Sequence, residues 1–315
     1  NGADTHGMLA SMMSVGKLSY DDALDGISLT NTITPPALGR TQEERIANLV
    51  GILDAGMGEG LYHANINVLN KETLLDAMEN PHRLPAHLQA ALGQRLGALA
   101  LNRYPGSRTD DLKAALATYT QMPEGYALML GNGSDELISL LALACDVHGA
   151  SILAPVPGFV MYAMSAQLQG LAFHGVPLAA DFDLDLPAML AAIAQHRPAI
   201  TYLAYPNNPT ANLWDRAAIH QTIDAVAQIG GLVVMDEAYQ PFSSHSWIDE
   251  IRAAPARHSH VLLMRTLSKF GLAGIRLGYM VGPAALIAEI DKVRPPYNIS
   301  VLNCETALFA LEHQD

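Results

Sequence analysis

Met264–Gly282, MRTLSKFGLAGIRLGYMVG, is the stretch whose reading decides the fold. Val261, Leu262, Leu263 and Met264 form a short apolar run of the kind that makes a buried strand. Thr266-Leu267-Ser268-Lys269 follows where that strand should end, then a turn with Gly271 and Gly274, then Arg276 and a second apolar run. A lysine amine becomes nucleophilic only when burial or nearby positive charge pulls its pKa down. Arg276 could supply that charge, or it could hold an anion beside the Thr266 and Ser268 hydroxyls. A surface lysine after a strand is the plainer reading of Ser-Lys taken alone. The rest of the chain argues against it.

Working outward, Gly231–Met235 reads as a strand buried on both faces, and its end bears Asp236-Glu237-Ala238-Tyr239. A buried acid there carries a large desolvation cost unless it meets a positive partner. Ala204-Tyr205-Pro206-Asn207-Asn208-Pro209-Thr210 is a turn dense in Pro and Asn. Strand Ser151–Ala154 leads through Pro155, Pro157 and Gly158 to Phe159, placed where an aromatic can stack on a planar ring or pack in the core, with Tyr162 three residues later. Gly131-Asn132-Gly133-Ser134-Asp135-Glu136 runs into an apolar helix, Leu137–Cys145. A Gly-rich turn feeding a helix N-terminus offers backbone N–H groups and a positive dipole end, a natural phosphate site. Ordinary strand–helix turns use glycine as well.

Further helices are expected at His87–Leu101, Thr109–Thr120, Leu186–Gln195, Ala217–Ile229 and Pro283–Val293, with another from Asn303. Short strands are expected at Ala127–Leu130, Leu171–Val176 and Ile200–Leu203. Strands alternating with helices, with polar motifs at strand ends, indicate an α/β layered fold.

Composition narrows the function classes. Half of the 315 residues are hydrophobic and 16% are charged, enough for a substantial core. A formal net charge of −13 argues against nucleic acid as a partner. No apolar run approaches ~20 residues, so no membrane-spanning helix is expected. Cys145 and Cys304 lie far apart in apolar contexts, which fits a reduced, cytoplasmic protein. The 12 histidines form no metal-ligand spacing.

Ser268-Lys269 with Arg276 resembles the Schiff-base segment of fold-type I pyridoxal-phosphate aminotransferases, and TLSKFGLAGIRLGY most resembles the histidinol-phosphate aminotransferases. The resemblance implies the large domain of that fold, a mostly parallel seven-stranded sheet with helices on both faces, and pyridoxal 5'-phosphate as cofactor. It assigns Lys269 to the covalent link with the cofactor and to proton transfer. Thr266, Ser268 and Arg276, with Gly133, Ser134 and Asp135, fall to the cofactor phosphate, and Phe159 to stacking on the pyridine. Asn208 and Tyr239 would hydrogen-bond the ring oxygen and Asp236 would keep the ring nitrogen protonated. The family usually has Gly where Ala211 follows Thr210. Tyr104, in Asn-Arg-Tyr-Pro, resembles the tyrosine that reaches the neighbouring subunit's cofactor, which implies a homodimer. The implied reaction moves an amino group between L-histidinol phosphate, a small amino-acid-like substrate, and 2-oxoglutarate. The family continues into a smaller domain with an arginine for the substrate carboxylate, and the sequence stops before it. Another aminotransferase of the class, acting on aromatic amino acids, is the alternative.

Residues 1–80 read differently. Helix starts are expected at Ser19–Ala23 and Thr41–Glu44, a helical face over Glu43–Asp54, a strand over Tyr62–Leu69 and a helix from Thr73, a small α+β segment. SYDDALDGISLTNTITPPALGRTQEERIANLVGILD and HANINVLNKETLLDAMENP resemble the C-terminal part of pyruvate formate-lyase, a glycyl radical enzyme. That family's Arg-Val-Ser-Gly-Tyr loop and Cys-Cys pair have no counterpart here, so an acyltransferase reading lacks its chemistry. Leu75–Pro81, LDAMENP, also resembles a segment near the start of the aminotransferases. The expectation is a chimera joined there, with residues 1–80 as one part and 81–315 as an aminotransferase large domain, active or inactive as it stands.

Overall fold

A computed structural model describes residues 79–80 and 82–314; the helices and strand expected before residue 79 lie outside the described residues. By contacts the chain divides into two units, Asn1–Met78 and Glu79–Asp315. The second unit carries the α/β fold.

It opens with two helices, α1 (Ala86–Gly97) and α2 (Arg108–Thr120). The expected helix over His87–Leu101 therefore ends early, and Leu101 is exposed. Strand β1 (Tyr126–Gly131) leads into α3 (Gly133–Ala144), which begins at the glycine turn itself and not at Leu137. Asp135 and Glu136 in its first turn complement the positive end of the helix dipole, and Leu137, Ile138, Leu140 and Leu141 bury its apolar face. Strand β2 (Ser151–Val156), helix α4 (Met161–Gln169), strand β3 (Ala172–Pro177) and helix α5 (Leu186–His196) follow. Then come β4 (Ile200–Ala204), α6 (Arg216–Ile229), β5 (Leu232–Asp236), α7 (Trp247–Ala253) and β6 (Val261–Thr266). Asp215 caps α6 by accepting from the Ala218 N–H at 3.1 Å. Gly230, in the left-handed region at φ 74°, ends that helix. Strand β7 (Gly278–Pro283), helix α8 (Ala284–Ile290) and helix α9 (Val301–Glu312) complete the unit. The single helix expected over Pro283–Val293 divides into α8 and a 3-10 turn at Asp291–Val293.

All seven strands make one sheet, in the order β1-β7-β6-β5-β4-β2-β3. The pairs β6–β5, β5–β4, β4–β2 and β2–β3 are parallel, while β7 runs antiparallel to both its neighbours. Every residue of β4 and β6 is buried, as expected of central strands covered on both faces. Two apolar cores flank the sheet, one holding Leu203, Met235 and Leu263, the other Tyr202, Val234 and Met264. Alternate residues of one strand thus feed opposite layers. The carboxyl ends of β1, β2, β4, β5 and β6 open on one edge, where α/β sheets bind ligands.

Candidate active site

Five strand-to-loop transitions meet at that edge and enclose a cleft with about 600 Å³ of open space. Asp236 closes β5, Thr266 closes β6 and Ala204 closes β4; register places Asp236 opposite both Ala204 and Met264. Every residue singled out by the sequence lines this cleft except Gly133 and Tyr104.

Lys269 sits in the irregular turn Ser268–Leu272, which Gly271 permits by adopting φ 106°. Its Nζ lies 5.4 Å from the centroid of the Tyr239 ring, within reach of a cation–π contact. Burial, reinforced by Arg276, holds the ammonium below the ordinary lysine range, while Glu79 and Asp135 oppose the shift. The direction favours a neutral, nucleophilic amine.

Thr266 and Ser268 are buried with hydroxyls 2.9 Å apart, and the Ser268 N–H donates to Thr266 Oγ1 at 3.2 Å. Arg276 reaches back across the cleft to α3, donating to Asp135 Oδ2 at 3.0 Å. Its guanidinium occupies the place a side chain at Gly133 would need: a Cβ there would lie 2.8 Å from Nη2. It is the backbone, at φ +77°, that calls for glycine here, since the guanidinium is the end of a flexible side chain. Two hydroxyls, a guanidinium and the first turn of α3 converge on one end of the cleft. Such a donor set suits a phosphate.

Asp236 lies at the deep end, only 3% exposed. Its Oδ2 accepts from the Tyr162 hydroxyl at 2.6 Å and its Oδ1 from the Ala238 N–H at 3.0 Å. Burial dominates and raises its pKa to about 6, although both hydrogen bonds pull the other way. A carboxyl so placed calls for a cationic partner in the cleft, and a protonated ring nitrogen is one. Phe159 lines the same wall, its ring edge-on to Tyr162 at 5.7 Å. Tyr239 and Asn208 line the cleft as well.

Tyr104 is absent from this cleft: it is 72% exposed and stacks on Tyr297 at 4.1 Å. Sequence reasoning gave Tyr162 no bonded role. It also passed over the buried pair under the cleft floor, where Arg265 Nε donates to Glu237 Oε2 at 3.0 Å. Ser246 and the Trp247 N–H donate to the same carboxylate, pinning the start of α7 to β5 and β6. Asp236 and Thr266 are the immediate neighbours of this pair in sequence.

Comparison with known proteins shows the family. The family model for aminotransferase class I and II matches residues 69–315, and the glycine radical model matches residues 1–87. The chain belongs to the class I and II aminotransferases. Histidinol-phosphate aminotransferases from Methylibium petroleiphilum and Polaromonas naphthalenivorans are 75% and 76% identical over 241 residues, 76% of this chain. The chain spans 64% and 65% of their lengths, just under two thirds. The crystal structure of histidinol-phosphate aminotransferase from Sinorhizobium meliloti in complex with pyridoxal-5'-phosphate superposes with a TM-score of 0.64 at 27% identity. That match covers 73% of this chain and 61% of the other. The two family matches overlap at residues 69–87, around the LDAMENP segment.

Proposed function

We propose that the cleft holds pyridoxal 5'-phosphate, joined to the chain through Lys269, and serves amino-group transfer between L-histidinol phosphate and 2-oxoglutarate. The observation that carries this reading is the convergence of a pKa-lowered lysine, a buried carboxyl and a phosphate-type donor set in one cleft. The bound cofactor supplies an electron sink for the charge left when a substrate Cα–H bond breaks. The chain supplies the rest. Asp236 holds a proton on the ring nitrogen, and the desolvation that raises its pKa strengthens its pull on that proton. Thr266, Ser268, Arg276 and the first turn of α3 (Gly133, Ser134, Asp135) bind the phosphate. Phe159 covers one face of the ring, while Asn208 and Tyr239 orient its oxygen. With the cofactor bonded to the substrate amine instead, the Lys269 amine would be the group that moves the proton to and from the substrate Cα.

The identity of the curated relatives supports histidinol phosphate as the donor. Fold alone leaves the reaction open, because sites, not folds, set chemistry. The exposure of Tyr104 supports a homodimer in which it serves the partner's site. Among the described residues no helix is long and apolar enough to cross a membrane, which accords with a cytoplasmic enzyme.

The test is the visible absorbance of the purified chain with added pyridoxal phosphate, before and after borohydride, beside Lys269→Ala. A lysine-dependent band that reduction fixes on Lys269 is the expected result. The same spectrum from Lys269→Ala would sink the reading. Turnover of histidinol phosphate against phenylalanine then separates the donor classes.

A further inference from the structure

We propose that Tyr162 is a positioning residue for the cofactor site: its hydroxyl, donated to Asp236, fixes the orientation and charge state of that carboxyl. The proposal rests on the cofactor reading above, in which Asp236 meets the ring nitrogen.

The geometry is specific. The contact is 2.6 Å, in the range of O–H···O⁻ bonds to an ionised acceptor. Both partners are buried, Tyr162 at 2% and Asp236 at 3% exposure. Burial, together with the charge of Asp236, pushes the phenol well above its ordinary range, so it keeps its proton and acts as donor. The ring itself is fixed on two sides. Tyr202 stacks on it at 4.2 Å and 7°, and Phe159 meets it edge-on at 5.7 Å and 84°. One side chain therefore ties the stacking aromatic to the carboxyl that faces the ring nitrogen.

The charges around Asp236 leave this bond much to do. From α3 comes Asp135, and from the residues after β5 come Glu237 and Tyr239; the two acids disfavour a further negative charge. From β4 comes Tyr202, and from across the cleft Lys269 and Arg276. Against desolvation, the Tyr162 hydroxyl is the larger of the two hydrogen bonds that favour the charged carboxyl, the Ala238 N–H being the other. The molecule also contains its own control. The Tyr202 hydroxyl is buried without a hydrogen-bond partner among the described residues, although its ring packs on the same stack.

The experiment reads Asp236 directly in the full chain without cofactor, by NMR of ¹³Cγ-labelled aspartate across pH, assigned with Asp236→Asn. Tyr162→Phe keeps the stack and deletes the donor, and should raise the Asp236 pKa by about one unit or more, a tenfold gain in proton affinity. Tyr202→Phe should leave it in place. Replacement of Tyr162 with 3-fluorotyrosine, a more acidic phenol, should lower it, and this arm decides if Tyr162→Phe does not fold. Coincident titrations of wild type and Tyr162→Phe would overturn the proposal, as would an equal shift from Tyr202→Phe. Because no cofactor is present, this result is independent of the borohydride experiment, and failure of one reading is distinguishable from failure of the other.

Discussion

At the scale of a residue, Asp236 trades stability for function. Its folded pKa of about 6 stands above the ordinary aspartate value of 3.8, so the folded chain binds its proton more tightly than the unfolded chain does. The stabilisation from that proton is complete below pH ~4 and is lost as pH rises through about 6, amounting to roughly 3 kcal/mol for a shift of this size. Cofactor-free Asp236→Asn should therefore be more stable than wild type at pH 7 and indistinguishable from it at pH 4, read by urea denaturation. Equal stability at both pH values would contradict the burial argument. The same substitution should weaken cofactor retention, since an amide cannot hold a ring nitrogen's proton. That Asp236 and Lys269 would lie at one site was legible in the sequence, because each charged residue follows a strand-like apolar run and falls within a motif resembling the aminotransferases; both line the cleft. The bond from Tyr162 was not, because its partner lies 74 positions away and only the sheet brings them together. The same holds for Glu237 and Arg265, 28 positions apart.

At the scale of elements, the proposed phosphate end of the cleft depends on how closely β7 approaches α3. A Cβ added at Gly278 would lie 2.6 Å from the Gly133 carbonyl carbon and 2.9 Å from the Ser134 nitrogen, both backbone atoms that cannot swing aside. Gly278→Ala should cost about 1–3 kcal/mol through overpacking. By displacing the first turn of α3 it should also weaken cofactor affinity more than a surface change of equal stability cost. Fluorescence titration with pyridoxal phosphate, beside a stability-matched control, checks this; proportionate losses would mean that the approach is only packing. Most elements here announce themselves through periodicity and caps, as α6 does. Helix α4 escaped because MYAMSAQLQ is nearly uniform in polarity around its circumference and follows a Pro-Gly pair. Helix α7 has only seven residues, and Ser246 and the Glu237 carboxylate define its start.

At the scale of the whole molecule, residues 1–68 precede the aminotransferase match, and contacts divide the chain at Met78. Deleting residues 1–68 should leave the cooperative thermal transition of the remainder and its borohydride-reducible band intact. Loss of either would mean that the two parts fold as one. The sheet's strand order was the least legible feature, since β1 pairs with β7, from the far end of the unit. That pairing has a consequence for synthesis. Strand β1 leaves the ribosome with Leu128, Met129 and Leu130 seeking burial, yet its partner follows about 150 residues later. At ~5–20 residues per second the wait is on the order of 10 s. Throughout it the nascent chain carries an unpaired apolar edge, and the first turn of α3 cannot be brought beside β6 until the antiparallel strand arrives between β1 and β6.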